Sequence, residues 1–157
     1  MAKFWLVKSE PGVFSIDDLA RAKDRTTFWD GVRNFQARNL LRDEMSVGDG
    51  VLFYHSSADP PAVAGTAKVV GAGRPDPSQF DAKSDHYDPD STRDAPRWYG
   101  VDIQLDRKFA RVVTLPELRA NPALGGMVLL RKGSRLSVQP VSAAEWRVIC
   151  KLGLERR

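Results

Sequence analysis

The sequence predicts an α+β fold, a small mixed β-barrel of about six short strands with short helices between them. Three observations lead there. Short runs rich in branched and aromatic residues recur along the chain, such as Phe4-Trp5-Leu6-Val7 and Val51-Leu52-Phe53-Tyr54. Ten prolines and twelve glycines are scattered between such runs, which suits strands and turns better than a helical bundle. Ser15, Thr114 and Ser142 each stand three residues before an acidic residue, the spacing that opens a capped helix. With 157 residues and 42% hydrophobic content the chain can bury a sizeable core, and residues 1–157 are expected to form one domain.

Taken in order, Lys3 to Lys8 reads as a central strand bounded by Pro11-Gly12. Ser9 and Glu10 stand at its end, with Pro11 holding Glu10 extended. Ser15 to Asp18 opens a short helix through Leu19 and Ala22. Residues 27–39 then bring aromatic, amide and guanidinium groups together at a turn running into a helix. They read as a recognition loop: Gly31 permits a sharp turn, Asn34 caps the helix, and Ala37, Leu40, Leu41 and Met45 give it a buried face. Val51 to Ser56 is a strand ending in polar groups, and Val63 to Gly71 is expected to pair with it.

Residues 73–96 hold four prolines and few aliphatic side chains, and read as a long structured loop or lid anchored by Phe80, His86 and Tyr87. Tyr99, Val101, Ile103 and Leu105 alternate along a half-buried strand, and another strand is expected through Val112-Val113. Thr114 to Glu117 starts a helix that Asn121-Pro122 stops. Met127 to Leu130 is a short apolar run, Arg131 to Gly133 a basic turn, and Leu136 to Val141 a last strand. Ser142 caps a final helix whose Trp146, Ile149 and Cys150 face inward before Gly153 ends it.

Charge is unevenly spread. The net charge is +4, but residues 97–157 carry twelve basic and five acidic side chains. A basic surface facing nucleic acid is the functional reading, and solvated surface charge the ordinary one. One cysteine, Cys150, permits no internal disulfide and points to a reducing compartment. A cytoplasmic protein is expected, or a nuclear one if the source is a eukaryote. No run of about 18 apolar residues exists to span a membrane, and the N-terminus enters a strand without room for a secretory signal. A single cysteine with histidines at 55 and 86 cannot supply the ligands of a zinc deaminase. No glycine-rich phosphate cradle and no nucleophile elbow are present. No cofactor and no metal are expected, and the chain is expected to be a monomer.

Several stretches together resemble the EVE domain, a member of the PUA-like superfold and a relative of the YTH and ASCH domains. They are Trp5-Leu6-Val7-Lys8-Ser9-Glu10-Pro11, the run from Trp29 to Asn39, and Gly48-Asp49-Gly50-Val51-Leu52-Phe53-Tyr54-His55-Ser56. Tyr87-Asp88-Pro89, Pro96-Arg97-Trp98-Tyr99 and Leu136 to Val141 extend the match over almost the whole chain. The resemblance implies a closed or nearly closed barrel flanked by helices, with a pocket for a modified nucleobase. It further implies that Lys8 and Ser9 match the strand end lining the YTH pocket, that Trp29 matches one cage wall, and that Trp98 lies near a second. The partner expected is nucleic acid carrying a modified base, a modified cytosine in DNA first among the choices and RNA the other.

The residues themselves fit such a pocket. A base held against aromatic faces gains about 1 to 3 kcal/mol per stack, against a few kcal/mol for extracting it from a duplex. Hydrogen bonds from Ser9, Asn34, Tyr54 or His55 must supply the remainder, with Lys8, Glu10 and Ser137 as further edge groups. Arg33, Arg38, Arg131, Lys132 and Arg135 are the candidates for the flanking phosphates.

Each has an ordinary role as well. Trp5 and Trp146 fit core patterns. Asn34 is a helix cap, Ser9 a partner for local backbone, Lys8 and Glu10 a solvated ion pair, Ser137 a strand-edge hydroxyl. Tyr54 and His55 are neighbours on one strand and point to opposite faces, so one of them at most lines the pocket. The alternative function is a base-directed enzyme, a glycosylase or hydrolase in which Glu10 or Asp30 activates water. A protein-binding adaptor would need a large exposed apolar patch, which no stretch predicts.

Overall fold

In the computed structural model, which describes residues 2–133 and 135–155, six strands form one mixed sheet. The strands are β1 (Phe4–Ser9), β2 (Thr26–Phe28), β3 (Gly50–His55), β4 (Ala62–Pro75), β5 (Tyr99–Thr114) and β6 (Val138–Val141), in the spatial order β2-β5-β4-β3-β1-β6. Only the β1–β3 pair is parallel, with Trp5 opposite Val51 and Ser9 opposite His55. The helices are α1 (Ile16–Arg21), α2 (Phe35–Asn39), α3 (Leu115–Ala120) and α4 (Ala143–Leu154). No helix among the described residues is long and apolar enough to cross a membrane.

All three expected capping boxes form: Ser15 with Asp18, Thr114 with Glu117, and Ser142 with Glu145. In each, the hydroxyl accepts from the third helical N–H and the acid accepts from the cap's own N–H, satisfying two otherwise orphaned donors. Several boundaries differ from expectation. The run through Val112-Val113 is the end of β5 rather than a separate strand, because β5 runs on as one strand of 16 residues that pairs with β4 at both its ends, across several register shifts, and with β2 at Asp102 to Gln104. Thr26–Phe28, expected as loop, is an edge strand on β5. The helix after Asn34 keeps α geometry only to Asn39. It widens over Leu40–Glu44, where the Met45 N–H reaches back to the Leu40 carbonyl. Val128–Leu130 is a single 3-10 turn.

Because side chains alternate along a strand, each central strand feeds two cores. On one side Trp5, Val7, Val51, Phe53, Val69, Val101, Ile103 and Val138 pack with Leu19, Ala37 and Leu41. On the other, Leu6, Leu52, Tyr54, Val63, Phe109, Val113 and Val141 pack with Leu118, Leu124 and Ile149. Burial on both faces explains why β1 and β3 read as unbroken apolar runs. Register shifts between β4 and β5 at Val63/Gly65, Thr66/Ala67 and Val69/Gly71 accompany the bend of these two long strands. The sheet's edges are its shortest strands, β2 with three residues and β6 with four.

The turn before β3 is tied to β1 by one carboxylate. Asp49 is buried, and it accepts from the Lys3 N–H (3.0 Å), the Trp5 indole N–H (2.9 Å) and the Ser46 N–H (2.9 Å). Burial pushes the Asp49 carboxyl up, but these bonds outweigh it and hold it below the usual carboxylate range. Asp49→Ala leaves the buried indole donor of Trp5 without a partner. It is expected to cost about 2 kcal/mol. Urea unfolding checks this: the midpoint should fall with the slope unchanged.

Candidate functional site

A cavity of about 520 Å³ opens where the two edges of the sheet approach each other. Thr27 and Phe28 of β2 line one side; Lys8 and Ser9 at the end of β1, and Ser137 just before β6, line the other. The turn after β1 adds Glu10, Val13 and Phe14; the loop after β2 adds residues 29–33; His86 comes from the long connection between β4 and β5. Its size falls within the range of pockets that take small ligands.

Trp29 belongs to both the core and the cavity. Its N–H donates to the Val101 carbonyl (2.7 Å), and its ring meets Phe53 edge-on at 5.5 Å between centroids and Phe14 at 6.3 Å. Only 8% of the residue is exposed. Gly100 makes room for it: a Cβ there would fall 2.2 Å from the Trp29 carbonyl oxygen.

The loop after β2 is held by Asp76, at the end of β4. This carboxylate is fully buried and accepts from the Gly31 N–H (2.8 Å), the Arg33 guanidinium (3.0 Å), the Ser78 N–H (2.8 Å) and the Ser78 hydroxyl (2.6 Å). Burial pushes its carboxyl up, but the bonds from Ser78, Gly31 and Arg33 together hold it below the usual carboxylate range. Arg33 also donates to the Ser78 hydroxyl and twice to the His86 carbonyl. Gly31 has φ +78°, and a Cβ there would come within 2.7 Å of the His86 ring, so only glycine suits both the backbone and the contact.

The connection itself turns on Gln79. Its side-chain amide donates to the carbonyls of Asp76 and Trp98. Its oxygen accepts from the Ser91 hydroxyl and the N–H groups of Arg97 and Trp98. The segment is therefore a folded strap rather than a swinging lid.

Of the residues singled out from the sequence, Lys8, Ser9, Glu10, Trp29, Arg33 and Ser137 come together around the cavity, and Asp30 with them. Burial pushes the Lys8 ammonium down. The Ser9 hydroxyl donates to the Phe14 carbonyl, which fixes the turn and leaves its lone pairs as acceptors.

Asn34, Tyr54, His55 and Trp98 do not line it. Asn34 caps α2 by accepting from the Ala37 N–H (2.9 Å). Tyr54 lies in the core on the other face of the sheet, with Leu6, Leu52 and Leu118, where burial pushes its phenol up. His55 accepts from the Ile16 N–H (3.1 Å) at the start of α1, and burial pushes its imidazolium down, both of which favour the neutral ring. Trp98 is 6% exposed; its indole N–H donates to Asp88 (2.7 Å) and its ring stacks on Phe35 at 4.7 Å.

The cations divide likewise. Arg38 donates to the Arg97 carbonyl and lies over the Phe35 ring. Arg131, Lys132 and Arg135 are exposed on the turn that leads to Ser137. Phe14, Phe28 and His86 were not among the site candidates. Phe28 lay within the recognition loop and His86 within the strap, whereas nothing local marks Phe14. Among the described residues, no group of three or more histidine, cysteine or acidic side chains could hold a metal ion.

Residues 3–152 match the EVE domain family. This chain belongs to that family. It is 43% identical to human thymocyte nuclear protein 1 over 169 aligned positions, covering 97% of this chain and 74% of that protein. A structure of a Leishmania major protein superposes with a TM-score of 0.92 at 46% identity, covering 98% of this chain and 95% of that one. Human thymocyte nuclear protein 1 in complex with DNA containing 5-methylcytosine superposes with a TM-score of 0.91 at 40% identity, covering 99% and 100%. A YTH domain from Zygosaccharomyces rouxii shares the fold at a TM-score of 0.56 and 17% identity, covering 99% of this chain and 87% of that one. The EVE fold expected from the sequence is the fold observed.

Asp76 gives the EVE domain a defined acid response. A carboxyl held below its unfolded value of about 3.9 contributes stability that is present above that value and lost as pH falls through the lower folded one. Asp76→Asn replaces one acceptor atom with a donor facing other donors, and should cost about 3 kcal/mol at pH 7. The gap between variant and wild type is expected to narrow below about pH 4. Urea titrations at pH 7 and pH 3 check both statements.

Proposed function

We propose that this EVE domain binds nucleic acid by taking one modified nucleobase, a modified cytosine first among them, into the cavity beside Trp29. The observation that carries the proposal is the cavity itself. It is walled by Phe14, Phe28 and Trp29, and edged by Lys8, Ser9 and Ser137. Support comes from the human relative, whose structure includes DNA containing 5-methylcytosine. Stacking at about 1 to 3 kcal/mol per base offsets much of the few kcal/mol needed to unstack the base elsewhere, so the polar edge decides whether binding is net favourable. Lys8 brings donors and Ser9 acceptors to that edge. A methyl group in a fitted pocket adds about 1 to 3 kcal/mol.

Phosphate contacts fall to Arg131, Lys132 and Arg135. Arg33 is turned inward onto Asp76 and His86, and Arg38 onto Arg97 and Phe35. Arg131, Lys132 and Arg135 are exposed and have no such partners among the described residues, which leaves them available to a phosphate backbone.

Binding is measured with single-stranded oligonucleotides carrying 5-methylcytosine, 5-hydroxymethylcytosine or plain cytosine at one position. A modified base is expected to bind about tenfold more tightly than the plain one. Trp29→Ala should weaken binding by about ten- to a hundredfold. Trp29→Phe, which keeps a ring against Phe53, separates lost stacking from lost folding. Replacing Arg131, Lys132 and Arg135 together by Ala should weaken all oligonucleotides alike and flatten the salt dependence by about 0.7 per lost contact. Equal or absent binding across the panel overturns the proposal. Released base in the same mixtures, read by mass spectrometry, would instead mark a base-directed enzyme.

A further inference from the structure

Resting on that reading, we propose that Asp30 makes the cavity selective for a base with an exocyclic amine, and against the keto base of the same shape. Asp30 lines the cavity and is solvent-exposed, and its carboxylate has no hydrogen-bond or ion-pair partner among the described residues. Of the other carboxylates nearby, Asp76 is engaged with Gly31, Arg33 and Ser78, and Asp88 with Trp98. Glu10, which also lines the cavity, is exposed and likewise has no side-chain partner among the described residues, so Asp30 is singled out by how its backbone is held. An unpaired carboxylate at a site for a polyanion repels the phosphates that flank the base. Its cost is offset only if the bound base brings a donor to it.

The backbone holds Asp30 for that task. The residue before it is fixed by the Trp29 N–H on Val101 (2.7 Å), and the residue after it by the Gly31 N–H on Asp76 (2.8 Å). Only the two torsions of its own side chain remain to be ordered when a ligand arrives. Aspartate accepts readily from the amine of cytosine. Thymine carries the same ring and the same methyl group as 5-methylcytosine, but turns a carbonyl oxygen toward the position of that amine. Its remaining donor lies one ring position away. Oxygen facing carboxylate is repulsive and leaves the acid desolvated without a partner, so the site rejects thymine by more than the missing bond alone.

The test uses the full chain and two single-stranded DNA oligonucleotides that differ only in having 5-methylcytosine or thymine at the central position, with binding followed by fluorescence anisotropy. A second pair, cytosine against uracil, repeats the comparison without the methyl group. Wild type should prefer the amine-bearing base by about tenfold or more in both pairs. Asp30→Ala should lose affinity for 5-methylcytosine and leave thymine unchanged or tighter. Asp30→Asn, which offers an N–H to a carbonyl, should bring the ratio near one by gaining on thymine. Because Asp30 is exposed and has no partner among the described residues, both variants should unfold at the wild-type urea midpoint. A wild-type ratio within about threefold of one, or an unchanged ratio in Asp30→Asn, overturns the role of Asp30 and leaves the base reader standing. Failure of wild type to bind any of the four oligonucleotides overturns the reader and this selectivity together.

Discussion

The site depends on a buried charge. Asp76 sits at the end of β4 without exposure to solvent, and a carboxylate taken out of water costs several kcal/mol unless its oxygens are fully bonded. Four donors satisfy it, two from Ser78 beside it in sequence and two from Gly31 and Arg33 more than forty residues earlier. The same guanidinium continues to the His86 carbonyl. One ion pair with its hydrogen bonds thus locks the loop after β2, the end of β4 and the strap over Gly31 into a single arrangement. Withdrawing any one donor leaves a buried charge partly unmet, so the parts cannot loosen independently.

The location of the cavity follows from the sheet. Four inner strands are paired on both sides, and buried side chains cover both of their faces. β2 and β6 each end the sheet, and the cavity is lined by Thr27 and Phe28 on one and Ser137 beside the other. Short edge strands limit unwanted pairing with other chains. Here their shortness also leaves a gap that neither core fills, and the three aromatic rings of Phe14, Phe28 and Trp29 line it.

Local chemistry was legible in the sequence. The capping boxes, the alternation of β5, the double-sided burial of β1 and β3 and the cap at Asn34 all follow from residues within a few positions of one another. The stretch from Trp29 to Arg33, marked by its composition, is the one that lines the cavity. What could not be read was the pairing of polar groups far apart in sequence. Asp76 and Gln79 look like ordinary loop residues because their partners carry no periodicity that would announce them. Trp29 and Trp98 give the same local signal, an indole among polar neighbours at an element's edge. They diverge because Asp88 takes the indole N–H of Trp98 and Phe35 covers its face, while Trp29 is anchored through its backbone to β5. Alternation correctly separates Tyr54 from His55, but it cannot reveal that the core with Leu6 and Leu118 claims one and the N-terminus of α1 the other.

On the proposed reading, rigidity is what lets so small a site bind a base. Capture of a single base sets a stacking gain of about 1 to 3 kcal/mol against an unstacking cost of a few kcal/mol, and the two nearly cancel. Fixing the backbone of one residue costs about 1 to 2 kcal/mol. If the five residues from Trp29 to Arg33 had to be ordered as the ligand arrived, the penalty would come to about 5 to 10 kcal/mol, enough to cancel most or all of what one stacked ring and two or three hydrogen bonds return. Asp76, with the Val101 carbonyl on Trp29, meets that cost during folding, when the hydrophobic burial of the whole domain is available to offset it. On that reading a residue outside the cavity's lining is as necessary to it as the rings that line it, and the buried carboxylate is better understood as part of the proposed site than as part of the scaffold.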